Sequence, residues 1–385
     1  MHINELLKET MDAQASDLHL TAGRKPTIRV WGKLQALEHR DVLSPEDTAQ
    51  LAYSMLNAFQ KQKFEKTWEL DLSYGVPGLG RFRVNLYRQR GATGIAMRSI
   101  PSVIPTLEDL NLPTILRDMA RKPRGLILVT GPTGHGKSTA LAAMLDAINT
   151  ERAAHIVTVE DPIEYLHEHK KSLVNQRELG FDTQSFPNAL RGVLREDPNV
   201  VMVGEMRDLE TISAALTIAE TGHLVFATLH TANAAQSIDR IVDVFPPYQQ
   251  QQIRIQLASV IEAVISQQLL SNQRYAARMA NAHLDGRRAA ASAAATATIQ
   301  RTWPTLDEIG RVPAVEIMIA TPAIRNLIRE AKTHQIESAL QTGGQHGMQT
   351  MDMALADLVR RQLISREDAI ARAIHADELR KLIHA

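Results

Sequence analysis

Residues 126–139 read LILVTGPTGHGKST, and the rest of the chain is arranged around them. Leu126, Ile127, Leu128 and Val129 predict a short buried strand of the kind found inside a parallel sheet. Residues 131–138 then fit G-x-x-x-x-G-K-[ST], the P-loop pattern. The chemistry needs these residue types in this order. Gly131, Gly134 and Gly136 let the backbone turn without a Cβ, so successive N–H groups can wrap a phosphate. The helix that follows points its positive end at the same place. Lys137 reaches toward β- and γ-phosphates, and the Ser138 hydroxyl suits Mg²⁺. The predicted nucleotide-binding set is Gly131, Pro132, Thr133, Gly134, His135, Gly136, Lys137, Ser138 and Thr139. The strand ahead and the apolar helix behind (Leu141, Met144, Leu145, Ile148) set this stretch apart from a chance match.

At 385 residues, 44% hydrophobic and 22% charged, the chain suits two globular domains with two cores. Lys+Arg and Asp+Glu are both 43, so the formal net charge is zero. That speaks against broad nucleic-acid binding, which needs a basic surface. There is no cysteine, hence no disulfide and no Cys-based zinc site. The opening MHINELLKETMDAQ is a mixed amphipathic pattern and not a signal peptide. No apolar run approaches the ~18 residues of a membrane span.

Outward from the P-loop, the first hundred residues predict an α+β module. A short helix carries Ile3, Leu6, Leu7 and Met11. An antiparallel meander follows over residues 17–37. Ser44-Pro45-Glu46-Asp47 starts a helix running to about residue 66. Strands return at 68–74, 81–88 and 93–99. In the second of these, Phe82, Val84 and Leu86 share one face, which puts Arg81 and Arg83 together on the other. Read alone, that other face is a solvated one. Residues 101–113 hold three prolines and read as a linker.

Beyond the P-loop, residues 155–159 form an apolar strand ending in Glu160-Asp161-Pro162-Ile163-Glu164. Acids at the carboxyl end of a parallel strand lie where α/β sheets bind ligands. Residues 199–203 form another, ending in Gly204-Glu205. A carboxylate directly after a buried strand is the Walker B position, which holds Mg²⁺ or its water. A third strand, 223–230, has a histidine at each end. Residues 249–270 predict one long amphipathic helix, and 312–319 a strand. Residues 271–305 are Ala/Arg-rich and poor in large apolar groups, which predicts a mobile, basic insertion.

Taken together the motifs resemble the secretion-type hexameric ATPases, and closely the type IV pilus retraction ATPases among them. GPTGHGKST resembles the Walker A segment of that family, TVEDPIEY (158–165) its Asp box, LREDPNVVMVGEMRD (194–208) its Walker B segment and TGHLVFATLHT (221–231) its His box. ASDLHLTAGRKPTIRVWG (15–32) is similar to the start of its N-terminal domain, and AIRNLI (323–328) to a motif of the retraction members. The resemblance implies a PAS-like α+β N-terminal domain (1–100) and linker (101–113). A RecA-like P-loop ATPase domain (114–385) follows, and the whole assembles as a hexameric ring with ATP at subunit boundaries.

Carried onto this sequence, the resemblance makes Glu164 the glutamate that polarises the attacking water. Glu205 orients Mg²⁺ or its water, with Ser138, Asp161 and Glu160 also around the metal. His230 senses the γ-phosphate, with His223 nearby in a structural or relay role. Arg81 or Arg83 reaches phosphates as an arginine finger, with Arg191 and Arg195 as supporting charges. The implied cofactors are ATP and Mg²⁺. The implied partners are five further copies of the chain, a PilC-like platform protein of the inner membrane and, indirectly, pilin; no nucleic acid is expected. The implied location is the cytoplasmic face of that membrane. Pilus retraction is the implied task; an accessory retraction, assembly or secretion ATPase and a slow nucleotide-switched ring that mainly binds partners are the alternatives. His135 stands where the family usually has serine. A side chain titrating near neutral pH there predicts altered nucleotide affinity or pH dependence.

Overall fold

The computed structural model describes residues 2–13, 15–30, 33–100, 103–284, 306 and 309–384. Contacts divide the chain into two units, 1–103 with 162–166 and 104–161 with 167–385.

The first unit opens with α1 (Ile3–Asp12). Strands β1 (Asp17–Leu20), β2 (Thr27–Val30) and β3 (Lys33–Ala36) follow. Then come α2 (Pro45–Tyr53), α3 (Ala58–Thr67), β4 (Glu69–Val76), β5 (Gly80–Gln89) and β6 (Ala92–Ile100). The six strands form one antiparallel sheet in the order β3-β2-β1-β6-β5-β4. Phe82, Val84 and Leu86 are buried with Leu18, Leu20, Ile95, Met97 and the α1 residues Ile3, Leu6 and Leu7. The predicted helix over 44–66 is two helices. Ser44 and Asp47 close a reciprocal capping box at the start of α2. Asn57 and Gln60 close a second one, at 2.8 and 3.0 Å, which begins α3 afresh.

The second unit holds α4 (Ile115–Ala120), β7 (Gly125–Thr130), α5 (Lys137–Glu151), β8 (His155–Glu160), β9 (Leu173–Glu178), α6 (Phe186–Val193) and β10 (Val200–Val203). It continues through α7 (Leu209–Glu220), β11 (Leu224–Leu229), α8 (Ala234–Asp243), α9 (Pro247–Val260), β12 (Ile261–Ser271), α10 (Gln273–Leu284) and β13 (Arg311–Ile319). Helices Pro322–Arg329, Ile336–Thr342, Met351–Arg360, Arg366–Arg372 and Ala376–His384 complete the described residues. The sheet runs β13-β12-β7-β11-β10-β8-β9. Every pairing in it is parallel except β12 with β13. Apolar side chains cover both faces. Met144, Leu145 and Ile148 of α5 pack on one, and Ile212, Ile238 and Leu257 of α7, α8 and α9 on the other. Sheets of this kind bind ligands beyond the carboxyl ends of their strands. The ends of β7, β8, β10 and β11 therefore lie together at one end of this sheet.

Three further stretches depart from the sequence reading. The long helix expected over 249–270 stops at Val260, and Ile261–Ser271 is a strand between β7 and β13. Periodicity does not separate a short buried apolar run from a helix, and here Ile261, Val264 and Ile265, β-branched and fully buried, fit the pleated sheet. Within the expected linker, Leu107 and Leu112 are buried in the core of the second unit. Of the expected insertion, Ser271 closes β12 and Gln273–Leu284 is helical, in keeping with its alanines. Buried Asn272 donates to the carbonyls of Leu306 (2.6 Å) and Ile309 (2.9 Å), clasping the two ends of the excursion. The rest of 271–305 lies outside the described residues.

Candidate functional site

The P-loop leaves β7 and turns back into α5. Gly131 has φ +140° and Gly136 φ +84°. A Cβ on Gly131 would meet the Gln267 carbonyl oxygen at 2.3 Å, and one on Gly136 the Gln267 amide nitrogen at 2.8 Å. Conformation and space both demand glycine at these two positions. The loop is thus a cradle of main-chain N–H groups leading into a fifteen-residue helix, a donor set that fits phosphate.

Lys137 is buried, and its Nζ donates to the carbonyls of Gly131 (2.7 Å) and Pro132 (3.0 Å). It also stands 3.4 Å from His230 Nδ1, with Thr133 Oγ1 at 3.5 Å from the same nitrogen. On its other side His230 Nε2 lies 3.1 Å from Glu205 Oε1. The partners assign the proton to Nε2: a carboxylate accepts there, while an ammonium donates to Nδ1. One hydrogen-bonded chain therefore joins the P-loop lysine, the histidine ending β11 and the carboxylate following β10. Three residues singled out in separate motifs meet because their strands are neighbours in the sheet.

Arg207 Nε is 2.6 Å from Glu205 Oε1. Burial pushes the Glu205 carboxyl up, but the hydrogen bonds from Arg207 and His230 and the Arg207 charge outweigh it and hold the group below its ordinary range. Glu205 is accordingly an anion. The sequence reading did not single out Arg207, although an arginine two residues after the strand-end acid was a visible signal. Glu160 is buried at the end of β8, where its Oε1 accepts from Thr158 Oγ1 (2.6 Å) and Gln176 Nε2 (3.0 Å). This bracing suits Glu160 to supporting the loop, while Asp161 beside it is exposed. Ser138 and Thr139 are half-buried in the first turn of α5. The donor set of Ser138, Glu205 and Asp161 consists of oxygens, which fits Mg²⁺.

His135 does not behave as its type alone suggests. Its Nδ1 accepts the main-chain N–H of Leu269 at 3.0 Å, tying the P-loop to β12. Burial, followed by the charges of Arg372, Arg311 and Lys137, pushes its pKa down, so the ring is neutral at neutral pH. Arg311 also donates to the Gly134 carbonyl at 3.1 Å.

Other residues lie elsewhere. His223 is at the opposite end of β11 from His230, bonded to the Ile218 carbonyl and Thr221, where it finishes α7. It has no part in the P-loop cluster. Arg191 is exposed and paired with Glu210 at 3.0 Å, and Arg195 is exposed. Arg81 and Arg83 lie on β5 of the first unit, opposite Gly75 and Ser73 of β4. Glu164 is exposed, within the segment 162–166 that groups with that first unit.

A parallel sheet with a P-loop after one strand and a carboxylate and a histidine after its neighbours defines an α/β P-loop nucleotide-binding protein. Comparison with known families makes this specific. The profile described as "Type II/IV secretion system protein" matches residues 81–368, and the chain belongs to that family. It is 49% identical, over 97% of its length and 98% of the relative's, to the type IV pilus retractation ATPase PilT of Pseudomonas aeruginosa. It is 46% identical to the twitching motility protein of Neisseria gonorrhoeae, over 92% of this chain and 86% of that one. Among solved structures it resembles the pilus retraction motor PilT with bound ADP, at TM-score 0.85 and 46% identity, covering 99% of both chains. The Legionella pneumophila ATPase DotB gives TM-score 0.77 at 27% identity, with 95% and 93% covered.

Proposed function

We propose that the chain is an ATPase that drives retraction of type IV pili, working as a hexameric ring. The observation that carries this reading is the junction of Lys137, His230 and Glu205 at the mouth of the P-loop, in a chain alike throughout to retraction ATPases. Residues 131–139 wrap the nucleotide phosphates with main-chain N–H groups, and Lys137 exchanges the Gly131 and Pro132 carbonyls for phosphate oxygens. His230, held at Nε2 by Glu205, registers the terminal phosphate and its loss through Lys137, whose ammonium bonds His230 Nδ1 and reaches the phosphate. Ser138 and Glu205, together with Asp161, would hold Mg²⁺, which supplies charge neutralisation on the phosphates. Glu164 polarises the attacking water, and Arg81 or Arg83 answers charge on the phosphates. Phosphoryl transfer leaves little covalent work to the protein, so positioning and charge carry the rate. Work on the pilus base then requires that ATP and ADP favour two different arrangements of the units. The platform protein of the inner membrane is the partner that would receive it, from the cytoplasmic side.

The test is Mg-dependent ATP hydrolysis by the purified protein against Glu164→Ala, with particle size followed in the same samples. Activity in a hexamer that is lost in the variant supports the reading; near-normal turnover in the variant removes Glu164 from its role. In cells, deletion should leave excess surface pili and abolish twitching. Loss of pili would instead assign the protein to assembly.

A further inference from the structure

Glu316 lies in the middle of β13, outside every motif, and is 2% exposed. Its carboxylate serves two helices at once. Oε1 accepts the N–H of Ala234, the first residue of α8, at 2.7 Å. Oε2 accepts the N–H of Met351, the first residue of helix Met351–Arg360, at 3.4 Å. Each helix already has its own cap: Asn233 accepts from Gln236 N, and Thr350 from Met353 N. Those caps cannot reach the first N–H of the helix, which is one of the four that a helix leaves without a partner. Glu316 accepts that first donor in both cases, and the positive ends of both helices favour its charge.

The two helices lead to different places. Three residues separate His230 from Ala234, and they are bound onto the first turn of α8. Thr231 Oγ1 is 2.6 Å from Ser237 Oγ, and Ala232 N donates to Gln236 Oε1 at 3.3 Å. The loop after His230 therefore moves with α8. In the other direction Gln349 bridges Ile317 of β13. Asp352, also buried, accepts the N–H groups of Ile374 (2.9 Å) and His375 (2.8 Å) just ahead of helix Ala376–His384.

We propose that Glu316 is a positioning residue that ties the loop carrying His230 to the C-terminal helices. Through it, a change at the nucleotide end of β11 is passed to helix Met351–Arg360 and, by way of Asp352, to helix Ala376–His384. The proposal rests on the reading that His230 faces the nucleotide. The ionised carboxylate accepts from both helices, whereas a protonated one keeps a single good acceptor. Burial pushes the Glu316 carboxyl up to about 7; the Ala234 and Met351 amides oppose this, and the charges of Glu337 and Asp352 add to it. His375 is the basic group on this side, 2.9 Å from Glu337. The tie is then complete above neutral pH and half-released below it.

Hydrogen–deuterium exchange on the full chain tests this, comparing wild type with Glu316→Gln, each with and without MgADP. The amide side chain keeps the shape but accepts from only one helix. Without nucleotide, residues 351–354, behind the longer of the two bonds, should exchange several-fold faster in the variant, while residues 234–237 keep their acceptor. MgADP should slow both segments in wild type and only the first in the variant. Wild type alone, followed through about pH 7 and corrected for intrinsic exchange, should take on the variant's pattern on the acid side. Exchange in residues 351–354 that ignores both the substitution and the pH overturns the proposal. Failure of MgADP to protect the P-loop would instead remove the nucleotide reading, and the comparison without nucleotide would still decide the role of Glu316.

Discussion

Glu205 is a carboxylate whose ionisation is set by two neighbours. Burial alone would raise its pKa; Arg207 and His230 bring it down. Its anionic form therefore persists below the ordinary carboxylate range, and acid should weaken metal-dependent hydrolysis only once that lowered pKa is crossed. Arg207→Ala removes the stronger of the opposing interactions. The acid limb of kcat/KM should then move to higher pH, with the neutral-pH rate changed far less. A limb that stays in place would show that another group controls it. His135 gives the contrary case. Its type suggests titration near neutrality, yet burial and the surrounding cations keep it neutral, and its Nδ1 accepts the Leu269 N–H. His135→Ser should cost about 1 kcal/mol of stability through the lost hydrogen bond, read by denaturant unfolding. It should leave the activity profile above about pH 7 superimposable on wild type.

At the scale of elements, the motif AIRNLI is first of all a splice. Ile324 and Ile328 are buried. Arg325 donates to the Ala258 (2.7 Å) and Ser259 (3.0 Å) carbonyls at the end of α9, to the Ala320 carbonyl (3.0 Å) and to Glu262 (2.7 Å) of β12. Arg325→Ala strips the last turn of α9 and an acid of their partner. We expect a loss of ~1–3 kcal/mol by denaturant unfolding. Glu316 sets a second stability term. Its pKa rises from 4.5 unfolded to about 7 folded, so the native state binds more protons between those values. Stability therefore falls as pH rises through that window, by about 3 kcal/mol at about 1.4 kcal/mol per pH unit. Glu316→Gln should flatten that slope in unfolding measured from pH 4.5 to about 7. How far such elements could be read in advance depended on where their partners lie. The ends of β8, β10 and β11 were legible because each apolar run breaks at a polar residue of evident chemistry. β12 was not, because periodicity does not separate a fully buried strand from a buried helix. β9, with the mixed sequence LVNQRE, carries no period at all. Glu316 was invisible because its partners are N–H groups 82 and 35 residues away in the chain.

At the scale of the whole molecule, what the proposed motor must do is make the state of one nucleotide matter to the next. Within one chain the route available is a set of polar ties: Lys137 to His230 to Glu205, and the buried Glu316 from α8 to the C-terminal helices. Such ties have two discrete arrangements, bonded and released, and packed cores convert small shifts into changes of that kind. A ligand that distinguishes the two arrangements shifts their populations, and one that does not shifts nothing, however tightly it binds. In a ring where each subunit's arrangement constrains its neighbour, one subunit unable to change state should hold back others. Mixing wild-type protein with Lys137→Ala, which keeps the fold but loses its charge on the phosphates, tests this directly. If subunits act together, the ATPase rate of pre-equilibrated mixtures should fall well below the fraction of wild-type chains. Light scattering on the same samples would confirm that the ring persists. A rate that simply tracks the wild-type fraction would mean six independent ATPases sharing a scaffold, and the coupling through Glu316 would then end within each chain.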